Sequence, residues 1–202
     1  MSKYGHNPHD WFEAIVNKIG GQDAAERFLR NELVISEPVR QWRMENGCIR
    51  FSVTSNGTVG KDWPVRLEGK SFRVGKYAKQ VFGSSDFKST NGITTEIAVL
   101  PGSLFADSDR ITANIRADAE KRTFEKPNAE IACLIREKFT DEDIEAMGLT
   151  WIIAMHEPIK DSDGGPRLLG ASRGSDGHWL GADCGRPDGG WDRGSGFAFV
   201  VP

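Results

Sequence analysis

The stretch that decides the fold is the last quarter of the chain, WIIAMHEPI (151–159), RLLGASR (167–173), HWLGADC (178–184) and GFAFVVP (196–202). These apolar runs are separated by DSDGG (161–165), GSDG (174–177) and RPDGGWDRGSG (186–196), and residues 151–202 hold eleven of the 23 glycines. Asp-Gly between apolar runs marks chain reversals, because glycine accepts the positive φ that a tight turn imposes. The expected structure is an antiparallel β-meander of about four strands.

Working outward, HDWFEAIVNKIGG (9–21) carries Trp11, Ile15 and Ile19 at helical spacing, with Asn7 or Asp10 as cap and Gly20-Gly21 as stop. QDAAERFLRNELV (22–34) continues as a second helix, giving an amino-terminal αα-hairpin over 1–35. The central segment, 36–150, is mixed. Strands flank Glu45-Asn46-Gly47, with Val39, Trp42, Ile49, Phe51 and Val53 as core, and helices are expected at 74–82 and 109–121. EIACLIREKF (130–139) suits a short helix passing into a strand, and TDEDIEAMG (140–148) a loop or single helical turn. The fold class is α+β, in one compact unit of 1–202.

Composition narrows the function classes. A net charge of −3 removes the overall signature of a nucleic-acid or membrane-surface binder. The start, MSKYGHNPHDW, has no apolar signal core, and no run is long enough to span a bilayer, so a cytoplasmic protein with no membrane partner is expected. Cys48, Cys133 and Cys184 lack a C-x-x-C pair and suit free thiols; only Cys184, near His178, invites a catalytic reading. No phosphate loop, dinucleotide fingerprint, nucleophile elbow or HExxH motif is present, and no cofactor is expected.

Three constellations remain. Trp151, Trp179 and Trp191, with Arg173, Arg186 and Arg193, suit a stacking surface for a partner, or alternatively the core of a glycine-rich sheet. Lys70, Arg73, Lys76 and Lys79 lie in 61–88, which has seven Lys/Arg against three Asp/Glu, and suit a nucleic-acid patch or a solvated helix face. His156, Glu157, Asp161, Asp163 and His178 suit a metal-dependent hydrolase, provided the two histidines converge. The competing reading of 155–165 is a plain hairpin turn, since a calcium loop beginning at Asp161 would place Pro166 sixth and Ser172 twelfth.

WIIAMHEPIKDSDGG and GASRGSDGHWLGADCGRPDGGWDRGSGFAFV also resemble the carboxy-terminal end of a family of small uncharacterised bacterial proteins. There a Trp-rich strand runs into Ala-Met, Glu-Pro-Ile and Asp-Ser-Asp-Gly, then a Gly-x-Trp-Leu strand. IGGQDAAERFLRNELV and FRVGKYAKQVFGSSDF are similar to its Gly-Gly helix start and central helix, so the likeness extends over most of the chain. The resemblance implies no activity, and His156 and the Cys184 region fall outside its shared pattern. A non-catalytic binding or interaction module, with a protein or nucleic acid as partner, is the preferred expectation.

Overall fold

A computed structural model of the chain describes residues 8–34, 40–174 and 177–202. The chain divides into two compact units, residues 1–40 and 41–202.

The first unit is the anticipated hairpin of α1 (Pro8–Ile19) and α2 (Gln22–Leu29). Gly20 and Gly21 join them at φ +109° and +89°, and the Gly21 N–H closes α1 by donating to the Val16 carbonyl at 2.8 Å. Only glycine adopts this pair of left-handed conformations without strain. Asn7 as helix cap and Val39 as core residue lie outside the described residues.

The second unit is a nine-stranded mixed sheet covered on both faces. Its strands are β1 (Arg43–Glu45), β2 (Cys48–Asn56), β3 (Arg73–Val74), β4 (Asn91–Pro101), β5 (Trp151–Ala154), β6 (Ile159–Lys160), β7 (Pro166–Gly174), β8 (Gly177–Cys184) and β9 (Ser195–Val200). Its helices are α3 (Trp63–Glu68), α4 (Lys76–Phe82), α5 (Thr112–Lys121), α6 (Glu130–Lys138) and α7 (Asp141–Ala146). The strand order is β1-β2-β4-β9-β5-β7-β8-β3, with β6 beside β7. The α+β class therefore holds, and so does the Asn46-Gly47 hairpin, whose two turn residues have φ of 51° and 75°.

The carboxy-terminal meander needs one correction. β5, β7 and β8 are successive antiparallel neighbours, but β9 does not follow β8; it inserts between β4 and β5, parallel to β5. The reason lies in its sequence. SGFAF is buried on both faces, the signature of a central strand, and beside β8 it would form an exposed edge. The edge at β8 is instead closed by the two residues of β3.

Alternation then separates two cores. Ile49, Phe51, Val53, Ile97, Val99, Ile152, Leu169 and Leu180 meet residues of α3, α4, α6 and α7 on one face, with the Phe51 and Phe139 rings edge-on at 4.7 Å. On the other face Leu100, Ile153, Leu168, Phe197 and Phe199 pack against Ile115 and Ala119 of α5. Segment 130–139 does not pass into a strand. α6 stays helical to Lys138, and the acidic run 140–148 becomes α7, opened by a capping box in which Thr140 and Asp143 bond each other's backbone N–H. Cys48 and Cys133 are buried and Cys184 half-buried, all three as free thiols.

Candidate functional site

The feature that stands out chemically is the outer edge of β2. The two-residue turn at Asn46-Gly47 makes Glu45 and Cys48 the closing pair, so Cys48, Arg50, Ser52 and Thr54 direct their N–H and C=O groups away from β4. β1 ends at the Arg43–Arg50 pair. Beyond it, no described strand pairs with the outward backbone groups of Ser52 and Thr54. Alternation exposes the Ser52, Thr54 and Asn56 side chains and turns Phe51 and Val53 inward toward the core under α6.

A groove of about 330 Å³ runs along this edge, between Ser52, Val53 and Thr54 on the strand and Lys70, Leu134, Glu137 and Lys138 opposite. Leu134 and Val53 make its floor apolar. Glu137 is held at its wall: Oε1 lies 2.7 Å from both Arg66 Nε and Lys70 Nζ, and Oε2 accepts from Arg66 at 3.0 Å and Asn56 at 3.5 Å. Burial pushes this carboxyl upward, but the hydrogen bonds from Arg66 and Lys70 outweigh it and hold it below its usual range. One carboxylate thus faces Arg66, Lys70 and Lys138, leaving the groove with an excess of positive charge.

The constellations read from sequence are arranged differently. Of the nucleic-acid candidates, Lys70 is paired with Glu137 and Lys79 with Glu68 at 2.7 Å. Lys76 lies over the Tyr77 ring and Arg73 over Trp179. Two of the four are therefore paired with carboxylates, and Lys70 shares its carboxylate with Arg66.

Trp151 and Trp191 belong to the second core. Their rings meet edge-on at 6.2 Å, Trp191 meets Phe197 at 5.9 Å, and its Nε1 donates to Thr112 Oγ1 at 3.0 Å. The Trp151 indole lies against Gly170, where any Cβ would collide with its Nε1, which explains glycine in mid-strand. Trp179 lies in the same cross-strand row as Trp151 and is half-buried under Arg73. The predicted arginines do not alternate with these rings: Arg173 bonds the Leu149 carbonyl and Glu145, Arg186 pairs with Asp188, and Arg193 is exposed in the loop before β9.

The metal set is not assembled. His156 is buried, with Nδ1 2.7 Å from the Glu157 carbonyl and Nε2 accepting the Leu169 N–H at 3.0 Å, so both ring nitrogens are committed. Burial pushes it down to about 4, which keeps the ring neutral. Asp161 closes the turn: Oδ1 accepts from the N–H of Asp163 and Gly165, and Oδ2 from Arg167 at 2.7 Å. Glu157 pairs with Lys126, and Asp163 is exposed. His178 lies at the far end of the sheet, 2.9 Å from Asp141 Oδ2. It faces Arg173 on β7, four residues beyond the Leu169 that holds His156, a separation of about 13 Å along the strand. Within 155–165 the hairpin turn is 161–165, joining β6 to β7, and among the described residues no three His, Cys, Asp or Glu side chains converge on a metal position.

Sequence reading missed Ser52, Thr54, Leu134, Glu137 and Lys138. The available signal was imbalance in the first hairpin: three strand residues precede its turn and nine follow, so most of the second arm must find another partner or remain an edge. Comparison with protein-family models, curated proteins and solved structures returned no match. No helix among the described residues is long and apolar enough to cross a membrane.

Proposed function

We propose that this protein is a non-catalytic interaction module that takes up an extended acidic segment of a partner protein as an additional strand on β2. The observation that carries the reading is the edge of β2 at Ser52 and Thr54, with which no described strand pairs, beside the cationic groove. Strand addition draws affinity from edge backbone groups and selectivity from adjoining side-chain pockets, and among the described residues the outward groups of Ser52 and Thr54 adjoin such a groove. The apolar floor at Val53 and Leu134 takes alternate side chains of the incoming strand, and Lys70, Arg66 and Lys138 favour carboxylates among them.

The probe is a fluorescein-labelled ten-residue peptide of alternating valine and aspartate, titrated by fluorescence anisotropy. Saturable binding that weakens with salt is expected, and Thr54→Pro reduces it by about ten-fold or more, because proline removes the outward N–H of an edge strand without touching the β2–β4 ladder. This substitution leaves net charge unchanged and so separates strand addition from charge attraction. Binding that is absent, or equally tight in a folded Thr54→Pro protein, overturns the proposal.

A further inference from the structure

A different observation concerns Arg50 on β2. Among the described residues three arginines are buried, and two of them, Arg110 and Arg136, each donate to backbone carbonyls and to a carboxylate. Arg50, at 8% exposure, does neither. Its Nε is enclosed without an acceptor, and the one partner described for its guanidinium is the Phe124 ring, 4.9 Å away. An aromatic ring covers a guanidinium face but leaves the N–H groups around its rim without acceptors.

The neighbours supply more positive charge and no free acceptor. In register Arg50 stands opposite Arg43, so two like charges face each other across the strand pair. The carboxylates around them are engaged: Glu45 and Glu96 with Arg43 at 2.9 and 2.7 Å, and Asp118 with Arg122 at 2.8 Å. Cys48 lies two residues before Arg50, on the same face of β2, and Arg122 Nη1 is 3.6 Å from its Sγ. A second guanidinium is thus turned toward the strand beside Arg50. Arg122 keeps 33% of its side chain exposed, which leaves a way in from solvent. A buried guanidinium without acceptors is unfavourable, and an anion is the group that satisfies it.

We infer that Arg50 and Arg122 hold a small tetrahedral oxyanion of the phosphate class on the Cys48 face of β2. A planar carboxylate is filled by one guanidinium, whereas a tetrahedral oxyanion offers oxygens outside a single plane and can meet a strand residue and a residue following α5 together. The site makes no use of the outward backbone of β2, so it stands independently of strand addition. The test is the melting temperature of the full chain with inorganic phosphate titrated against sodium chloride of equal ionic strength, followed by titration calorimetry. Phosphate should raise the melting temperature and bind saturably, and Arg50→Met and Arg122→Gln should each raise its dissociation constant about ten-fold or more. Acetate should bind more weakly than phosphate. A crossover provides the second test. Without phosphate, Arg50→Met should melt no lower than the parent, because an apolar side chain replaces an unpaired buried charge; in saturating phosphate the parent should melt higher. Phosphate acting no differently from chloride overturns the inference, as does binding indifferent to Arg50→Met or to Arg122→Gln, or acetate as tight as phosphate. So does an Arg50→Met protein that melts below the parent without phosphate, since Arg50 is then already satisfied within the chain.

Discussion

The two units treat apolar and polar surface in opposite ways. The hairpin leaves phenylalanine and leucine in water, while the sheet unit takes arginine, glutamate and histidine into its interior. The difference follows from what each can surround. Two short helices have one face apiece and nothing above it, whereas a sheet covered on both sides makes sites that can supply a buried polar group with partners. Arg136 is fully buried on α6, yet it donates to the carbonyls of Phe139 at 2.6 Å and Ser172 at 3.0 Å and to Asp141 at 3.0 Å, and lies 5.0 Å from the Phe72 ring. Through these contacts it ties α6 to α7 and to β7. Arg110 does similar work on the other face, donating to the Gly102, Phe105 and Trp191 carbonyls and to Asp107.

If interior polar groups in the sheet unit are held by their partners, removing one partner should give the largest effect in the molecule. Arg136→Ala takes the donor from Asp141 Oδ1 and from two carbonyls, leaving Asp141 only its contact with His178, and opens a cavity; it should lower stability by about 3–5 kcal/mol. Urea unfolding followed by circular dichroism measures this. Adding Asp141→Asn should recover part of the loss, because the charge stranded by the first substitution is then gone. A change under about 1 kcal/mol for Arg136→Ala would show that the contrast between the units does not depend on partnered burial.

His156 sharpens the same contrast through pH. Its folded value is about 4 against an ordinary 6.5, the cause being burial, so the interior favours the neutral ring. Above 6.5 the ring is neutral in both states and its contribution is intact. As pH falls from 6.5 toward 4, the unfolded chain takes up a proton that the folded protein refuses, and up to about 3 kcal/mol is lost. Below about 4 both states bind the proton and the loss levels off. Unfolding free energies at pH 7 and pH 4.5 should therefore differ by about 2–3 kcal/mol less in His156→Gln than in the parent, with the carboxylate contribution common to both. Equal pH dependence in the two proteins would place the histidine in contact with water.

How far these arrangements were legible in the sequence depended on the range of the forces involved. Turn chemistry is local, so Asn46-Gly47 and Asp161–Gly165 declared themselves, as did α4 and α5 through their period of 3.6. α7 was half-visible, because a capping box is readable but its length is fixed by Ile144 docking in the core. The place of β9 was not readable: a pattern of apolar residues states that a strand is buried, not which two strands flank it. The fate of His156 and Arg136 was hidden for a related reason. A charged or titratable residue in a sequence carries no mark of whether carbonyls from α6, β7 and the 155–165 turn will converge around it. The β2 edge was hidden because which described strand pairs with Ser52 and Thr54 is set by the topology and not by a local pattern.

The smallest effect belongs to the hairpin, and it tests the other half of the contrast. Leu29 is largely exposed, so shortening it removes little buried area, and Leu29→Ala should change unfolding of the sheet unit by less than about 0.5 kcal/mol. Urea unfolding followed by the near-ultraviolet signal of the six tryptophans, five of which lie in the sheet unit, makes the measurement. A loss above about 1 kcal/mol would mean that Leu29 is covered, and the hairpin would then obey the same rule of burial as the sheet.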